Sequence, residues 1–173
     1  MSETRWATFD CYGTLIDWNL GIRTELERVF GVAEAPRLLE RYHELEPELE
    51  SDPFRSYREV TTLALEQLAE DESIQLPEGE AGSLAHSLPD WPPFSEVPAA
   101  LAELRDRGWK LAILSNTDRD LIEASQRQLG VPIDLAIVAE DVESYKPAHA
   151  HWERFFEATT ADRDHHVHVA ASL

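Results

Sequence analysis

Three groups stand out for the chemistry they could do: a carboxylate, Asp10; a hydroxyl and amide side by side, Ser115 and Asn116; and an ammonium, Lys146. Asp10 lies in the stretch W-A-T-F-D-C-Y-G-T-L-I-D, residues 6 to 17. Ala7, Thr8 and Phe9 read as the end of a buried strand. Gly13 then breaks it, because glycine tolerates backbone angles that other residues avoid. Asp10 therefore falls where a strand stops and a loop begins. The carboxyl ends of strands are where open α/β sheets bind ligands, and a carboxylate is costly to bury there without partners. An aspartate at such a place can also simply cap a turn.

The other two groups fall at comparable places. Leu111-Ala112-Ile113-Leu114-Ser115-Asn116 reads as a buried strand that delivers a hydroxyl and an amide to its end. The helix that follows offers free N–H groups, which favour anions; by itself, Ser-Asn before a helix also serves as an N-cap. Lys146 sits in Ser144-Tyr145-Lys146-Pro147, between a strand and a helix. The chain has 13 arginines and only two lysines, Lys110 and Lys146. A compact ammonium differs from a planar guanidinium, so a lysine kept in a loop of an arginine-biased chain points to a specific task.

The elements that must position these groups follow from periodicity. Arg5 to Asp10 is the first strand. A helical stretch follows, with Ile22, Leu26, Val29 and Phe30 on one face and Gly31 at its end. Leu38, Tyr42, Leu45 and Leu49 repeat the pattern, with Pro47 expected to kink or split that helix. Val60, Ala64, Leu65 and Leu68 make a third helix, and Leu84 and Leu88 mark a short fourth. Pro89, Pro92 and Pro93 form a stiff exit.

After Val97 the pattern changes. A helix closed by Gly108 precedes the strand Trp109 to Leu114, a near-continuous apolar run of the kind buried on both faces in a parallel sheet. Asp118 to Leu129 is a helix, with Thr117 and Asp120 as its expected capping box. Ile133 to Ala139 is a third strand. Pro147 to Ala158 is a helix with Trp152, Phe155 and Phe156 inward, and His166 to Ala170 is the last strand. Alternating strands and helices imply βαβ units. The expected fold is thus α/β, a Rossmann-like parallel sheet formed by residues 1–15 and 93–173, with an inserted helical cap at 16–92.

Bulk properties exclude several classes. The formal net charge is −19, which argues against nucleic acid and against anionic membrane surfaces. An anionic substrate is repelled overall, so its site must concentrate positive charge locally. No run of 18 apolar residues is present, so no transmembrane helix is expected. The start lacks the apolar stretch of a signal peptide. The single cysteine, Cys11, excludes an internal disulfide and suits a reducing cytoplasm. Cysteine phosphatases need an arginine six residues past the cysteine, and Asp17 stands there, so Cys11 is read as a packed core residue. His166 and His168 share a strand face, a zinc pair by type, but no acidic or cysteine partner has fitting spacing.

Residues 9 to 17, F-D-x-Y-G-T-L-x-D, resemble the first motif of the haloacid dehalogenase (HAD) superfamily. The resemblance implies that Asp10 is a nucleophile forming a covalent ester or acyl-phosphate. Phosphatases of that family carry a second aspartate where Tyr12 stands, to protonate the leaving group. Halide needs no proton, and Tyr12 looks like the 2-haloacid dehalogenase branch. Ser115-Asn116 resembles the second motif, which holds a substrate carboxylate or phosphate. Ser144 to Pro147 resembles the third, in which Lys146 offsets the charge of Asp10 and of the bound anion. The implied set is Asp10 and Lys146 as catalytic residues, with Tyr12, Thr14, Ser115, Asn116 and Trp152 against substrate.

The chain departs from the family in three places. Dehalogenases place a halide-receiving arginine in the cap, where Glu44 to Glu50 here reads E-L-E-P-E-L-E, flanked by Arg41, Arg55 and Arg58. The tyrosine six residues past the motif lysine is Trp152. The acidic fourth motif should begin near Val169 to Ser172, and no acidic residue follows before Leu173; the expectation is that this 173-residue chain turns over weakly or not at all. The open edge of the last strand invites pairing, which makes a homodimer the matching expectation. The function expected is hydrolysis of a small, anionic 2-haloacid through an aspartyl ester, with no metal or cofactor. The alternatives are a magnesium-dependent phosphatase of the same superfamily, in which Asp10 also binds Mg2+, and a non-catalytic module. The cap is expected to move about its two connections and exclude water.

Overall fold

The structure, a computed structural model, describes residues 4–51 and 53–171. Strand β1 (Arg5–Phe9) comes first. Four helices follow with no strand between them: α1 (Trp18–Phe30), α2 (Ala35–Leu49), α3 (Tyr57–Asp71) and α4 (Ser83–Ser87), the last running into a 3₁₀ turn at Leu88–Asp90. Then come α5 (Val97–Asp106), β2 (Trp109–Ser115), α6 (Arg119–Gln126), β3 (Leu135–Val138), α7 (Ala139–Val142), α8 (Ala150–Thr159), a 3₁₀ turn at Arg163–His165 and β4 (His166–Val169). The chain divides into two compact units, Met1–Asp17 with Pro92–Leu173, and Trp18–Trp91.

The first unit is an α/β sheet. Its four strands are all parallel, in the order β3-β2-β1-β4. The register pairs Phe9 with Ile113 on one side of β1 and with Val169 on the other. Asp10 and the residues leaving β2 and β4 are thereby delivered to the same edge. Leu111 to Ser115 are buried without a break, as a strand covered on both faces must be. On one face Trp6, Ala112, Leu114, Ile137 and Phe155 pack together, with Trp6 edge-on to Phe155 at 5.5 Å between ring centroids.

Three local boundaries differ from the periodicity reading, two of them because a distant side chain intervenes. β3 starts at Leu135 rather than Ile133. The Asp134 carboxylate takes the Leu111 N–H at 2.9 Å and is itself held by Arg105 at 2.8 Å. The capping box of Thr117 and Asp120 does not form. Asp118 is the N-cap and its side chain caps nothing; instead the Arg119 N–H reaches the Glu140 carboxylate at 2.7 Å. α6 ends at Gln126 because Arg127, Gln128 and Leu129 turn into tighter i→i−3 bonds, a common way to close a helix. In the other unit, Pro47 does not split α2. It lies in the last turn, and Glu50 N still bonds Glu46 O at 3.0 Å.

The helical unit has its own core. Ile22 and Leu26 of α1, Leu38, Tyr42 and Leu45 of α2, Val60, Ala64, Leu65 and Leu68 of α3, and Leu84 are fully or almost fully buried. Gly21 has no room for a side chain, since a Cβ there would stand 2.3 Å from the Trp91 ring. Ser56 opens α3 with a capping box to Glu59. Among the described residues no helix is long and apolar enough to cross a membrane.

One carboxylate in this unit is poorly hydrated. Glu46 Oε1 accepts the Tyr42 hydroxyl at 3.0 Å and the Tyr57 hydroxyl at 2.7 Å. Burial pushes its carboxyl up to about 7, against the pull of the two hydroxyl bonds. The folded state thus prefers the proton more than the unfolded chain does. The stability this gives is complete below pH 4.5 and is lost as pH rises through 7. Glu46→Gln keeps an acceptor for both tyrosines and removes the charge. We expect the variant to be more stable than the parent by about 1–3 kcal/mol above pH 7, with the gain vanishing towards pH 4.5. Denaturant unfolding across that range checks it, and a constant difference at all pH values would refute the assignment.

Candidate active site

Asp10 is positioned by the way the chain leaves β1. Its N–H still donates to Val169 O at 3.0 Å, so the ladder holds the backbone up to this residue. The chain then folds over the Cys11 carbonyl, which accepts the N–H groups of Thr14, Leu15 and Ile16. Gly13 makes this possible at φ +87°, in the left-handed region that other residues avoid. The tight loop brings Thr14 back onto Asp10. The Thr14 hydroxyl donates to Asp10 Oδ2 at 3.1 Å and accepts the Ala171 N–H at 2.8 Å.

The other oxygen belongs to Lys146. Its Nζ lies 2.6 Å from Asp10 Oδ1 and 2.7 Å from the Leu114 carbonyl. The two side chains are only 15% and 22% exposed for Lys146 and Asp10, so solvent screens their attraction weakly. Lys146 is itself fixed through its backbone. Asn116 Oδ1 accepts the Lys146 N–H at 2.7 Å, and Asn116 Nδ2 donates to the Lys146 carbonyl at 3.2 Å. The Asn116 amide, expected against substrate, thus works on the lysine loop.

Ser115 is different. Its side chain is 1% exposed, and its Oγ has no hydrogen-bond partner among the described residues. A buried hydroxyl left in that state is costly unless a ligand or water completes it. It sits one residue past the carbonyl that holds Lys146 Nζ.

Tyr12 directs its hydroxyl to Ser125 Oγ of α6 at 2.9 Å. Burial pushes the phenol far above its ordinary range, so it stays protonated. Trp152 lies edge-on to His149 and His168, at 6.3 and 5.3 Å between ring centroids, and packs on the core cluster. It lines a cleft of about 500 Å3 with Pro147, His149, Phe156, Arg163 and His166. Its ring contacts run to the two histidines. Cys11 is fully buried, and burial followed by the Asp10 charge raises its thiol well above the usual range.

His166 Nε2 and His168 Nδ1 both bond the Thr8 hydroxyl at 2.8 Å. Among the described residues no three His, Cys, Asp or Glu side chains come together so as to hold a metal ion. In the helical unit, Arg41 pairs with Glu44 and Asp71, each at 2.7 Å, and Arg55 donates to the Leu49 carbonyl. Of the segment where a fourth motif was sought, Val169 ends β4, Ala171 meets Thr14, and Ser172 lies outside the described residues. Two contributors were not apparent from the sequence, the Leu114 carbonyl and His151. A backbone carbonyl leaves no trace in residue types. His151 had a trace: it stands four residues before the inward Phe155, on the buried face of its helix.

A carboxylate held by an ammonium and a hydroxyl thus lies at the strand ends of a parallel sheet, beside a buried hydroxyl with no partner among the described residues. Comparison with known proteins gives the family. The model of the haloacid dehalogenase-like hydrolases matches residues 4–169, and the chain belongs to that family. It is similar to the (S)-2-haloacid dehalogenase of Pseudomonas sp. (strain YL), at 29% identity over 99% of this chain and 76% of that enzyme. It is also similar to haloacetate dehalogenase H-2 of Moraxella sp. (strain B), at 28% identity over 99% and 79% of the two chains. Among solved structures, the fold matches the L-2-haloacid dehalogenase RSc1362 with a TM-score of 0.87 at 20% identity, covering 99% of this chain and 79% of that one. The L-2-haloacid dehalogenase of Xanthobacter autotrophicus with chloropropionic acid covalently bound matches at 0.81 and 20% identity, over 95% and 69%.

The two lysines provide an internal control. Lys110 lies over the Trp6 ring, 5.3 Å from its centroid, remote in register from the strand ends. Loss of a charge-assisted bond should make Lys146→Ala bind acetate about tenfold to a hundredfold more weakly, while Lys110→Ala stays near the parent. Calorimetric titration checks this, and equal effects of the two substitutions would make Lys146 an ordinary surface cation.

Proposed function

We propose that this chain hydrolyses the carbon–halogen bond of a small 2-haloacid, with Asp10 as the nucleophile. The observation that carries the reading is the clamp on Asp10, one oxygen to Lys146 and the other to Thr14, with Tyr12 where a phosphatase needs a second acid. One Asp10 oxygen attacks the carbon bearing the halogen. A carbon–oxygen bond forms, the carbon–halogen bond breaks, and halide leaves with its electron pair. Water then cleaves the aspartyl ester at its carbonyl. A 2-hydroxy acid and one proton are released, and Asp10 is regenerated. A halide needs no proton on departure, which fits a Tyr12 held protonated and committed to Ser125.

Ser115 Oγ is the donor we assign to the substrate carboxylate, because it is buried and otherwise unsatisfied. Lys146 offsets the carboxylates of Asp10 and substrate together. Fixed charges and dipoles of this kind often carry most of a rate enhancement. The relatives named for (S)-2-haloacids and haloacetate support the substrate class. The phosphatase alternative requires a divalent cation at Asp10, whose Oδ1 is held by Lys146; phosphate release with and without magnesium separates the two readings.

The test is halide release from (S)- and (R)-2-chloropropionate and chloroacetate, beside phosphate release from p-nitrophenyl phosphate with and without magnesium. Halide release independent of magnesium is expected. In a single turnover in 18O-water, the label should enter Asp10 and not the product. Asp10→Asn should abolish turnover while keeping the melting transition. Label in the product after one turnover, or undiminished turnover by folded Asp10→Asn, would sink the nucleophile assignment.

A further inference from the structure

His151, on the first turn of α8, has no accessible surface. Its Nε2 stands 3.1 Å from the Ser115 carbonyl, and its Nδ1 has no partner among the described residues. A neutral imidazole carries one N–H and one lone pair. The carbonyl can only accept, so the proton must sit on Nε2 and the bare lone pair on Nδ1. Burial holds the ring's protonation down to about 4, and the nearby Lys146 charge adds to that; the bond to Ser115 works the other way. The ring is therefore a neutral donor throughout the neutral range.

The segment from Lys146 to His151 meets the end of β2 at three successive residues. Lys146 Nζ holds Leu114 O, His151 Nε2 holds Ser115 O, and Asn116 holds the Lys146 backbone at both its N–H and its carbonyl. The first and third contacts involve residues already in the site. The second is made by a buried histidine where any apolar residue would fill the space. Ser115 O does not need it to be satisfied, since the Thr117 N–H also donates to it at 3.0 Å. Orientation is what the extra bond supplies. It fixes the peptide that carries Ser115 relative to the helix whose leading loop carries Lys146.

We infer that His151 is a positioning residue, which sets the Ser115 hydroxyl and the Lys146 ammonium at a fixed separation for the substrate carboxylate. The inference rests on the haloacid reading for its substrate, but not for its geometry.

Three variants separate positioning from mere packing. His151→Leu keeps the volume, removes the donor and removes the unsatisfied Nδ1, so its melting temperature should stay within about 4 °C of the parent. Its turnover of a haloacid should nonetheless fall about tenfold to a hundredfold, as expected of reacting groups displaced by a fraction of an ångström to one ångström. His151→Gln places an amide N–H where Nε2 was and should recover most of the loss, whereas His151→Asn, whose shorter amide reaches only the Nδ1 position, should not. Acetate affinity, read by calorimetry on the same proteins, should follow the same order. 15N spectra of the parent at neutral pH should show the Nε2–H tautomer at one histidine, with its signals lost in His151→Leu.

If the parent releases no halide from any haloacid but acetate affinity still ranks parent and Gln above Leu and Asn, the haloacid reading fails and the positioning role stands. If parent and His151→Leu agree in both turnover and acetate affinity, or if the tautomer is Nδ1–H, the positioning role is wrong.

Discussion

The contact between Lys146 Nζ and Asp10 Oδ1 joins residues 136 apart in sequence, and much of the sheet edge exists to make it. Both side chains are mostly buried, so solvent screens their attraction weakly and the contact holds the two groups together at the strand ends. The pair depends on β1 lying beside β2 in a register that leaves the Leu114 carbonyl within reach of the same ammonium. A slip of one residue would turn the carbonyl away and place Asp10 on the wrong side of its strand. The strand register is thus a condition of the chemistry as well as of the core.

Charge at the scale of the whole chain works against this site. A formal charge of −19 repels a small carboxylate, and over about 8–10 Å at physiological salt that field is screened. Only local charge then decides whether the anion binds, and there the balance is close. One ammonium faces the Asp10 carboxylate and must also face the substrate's. Hydroxyl and amide groups have to complete the neutralisation. Thr14 supplies one donor to Asp10, and Ser115 keeps one in reserve. The rest comes from geometry, since a preorganised donor needs no reorientation when charge moves.

Much of this was legible in the amino-acid sequence, for a physical reason. Asp10 and Ser115 stand where apolar strands end, and such transitions show in hydrophobic period; Lys146, in the loop between α7 and α8, stood out instead by residue type, as one of only two lysines. The parallel α/β sheet follows from strands and helices alternating after residue 97. What could not be read depended on side chains arriving from elsewhere. Asn116 has the right type for binding an anion, yet its amide meets the Lys146 backbone because the loop folds over it. The start of β3 and the cap of α6 moved because Asp134 and Glu140 supply bonds that local spacing cannot reveal. Trp152 packs on the core cluster as its helical spacing implies, and its ring also meets His149 at the start of α8 and His168 of β4, contacts that helical spacing cannot reveal.

If Asp10 is the nucleophile, as proposed, its carboxylate must attack while tightly held. A carboxylate has about four lone-pair positions. Thr14 takes one on Oδ2 and Lys146 one on Oδ1, so each oxygen keeps one for an incoming carbon. The two bonds fix the plane of the carboxylate, and with it the direction of those remaining pairs. A substitution at carbon needs the nucleophile opposite the leaving group, so a fixed plane selects which substrate orientation reacts. The same bonds lower the nucleophile's intrinsic reactivity by drawing off its charge. That loss is smaller than the gain from alignment, because well-oriented reactants can recover about 7–11 kcal/mol of entropy and solvent reorganisation, against about 1.5–3 kcal/mol for a hydrogen bond to a charged group. Holding Asp10 by both oxygens is therefore consistent with using it as a nucleophile, provided that the substrate's own carboxylate is held as firmly.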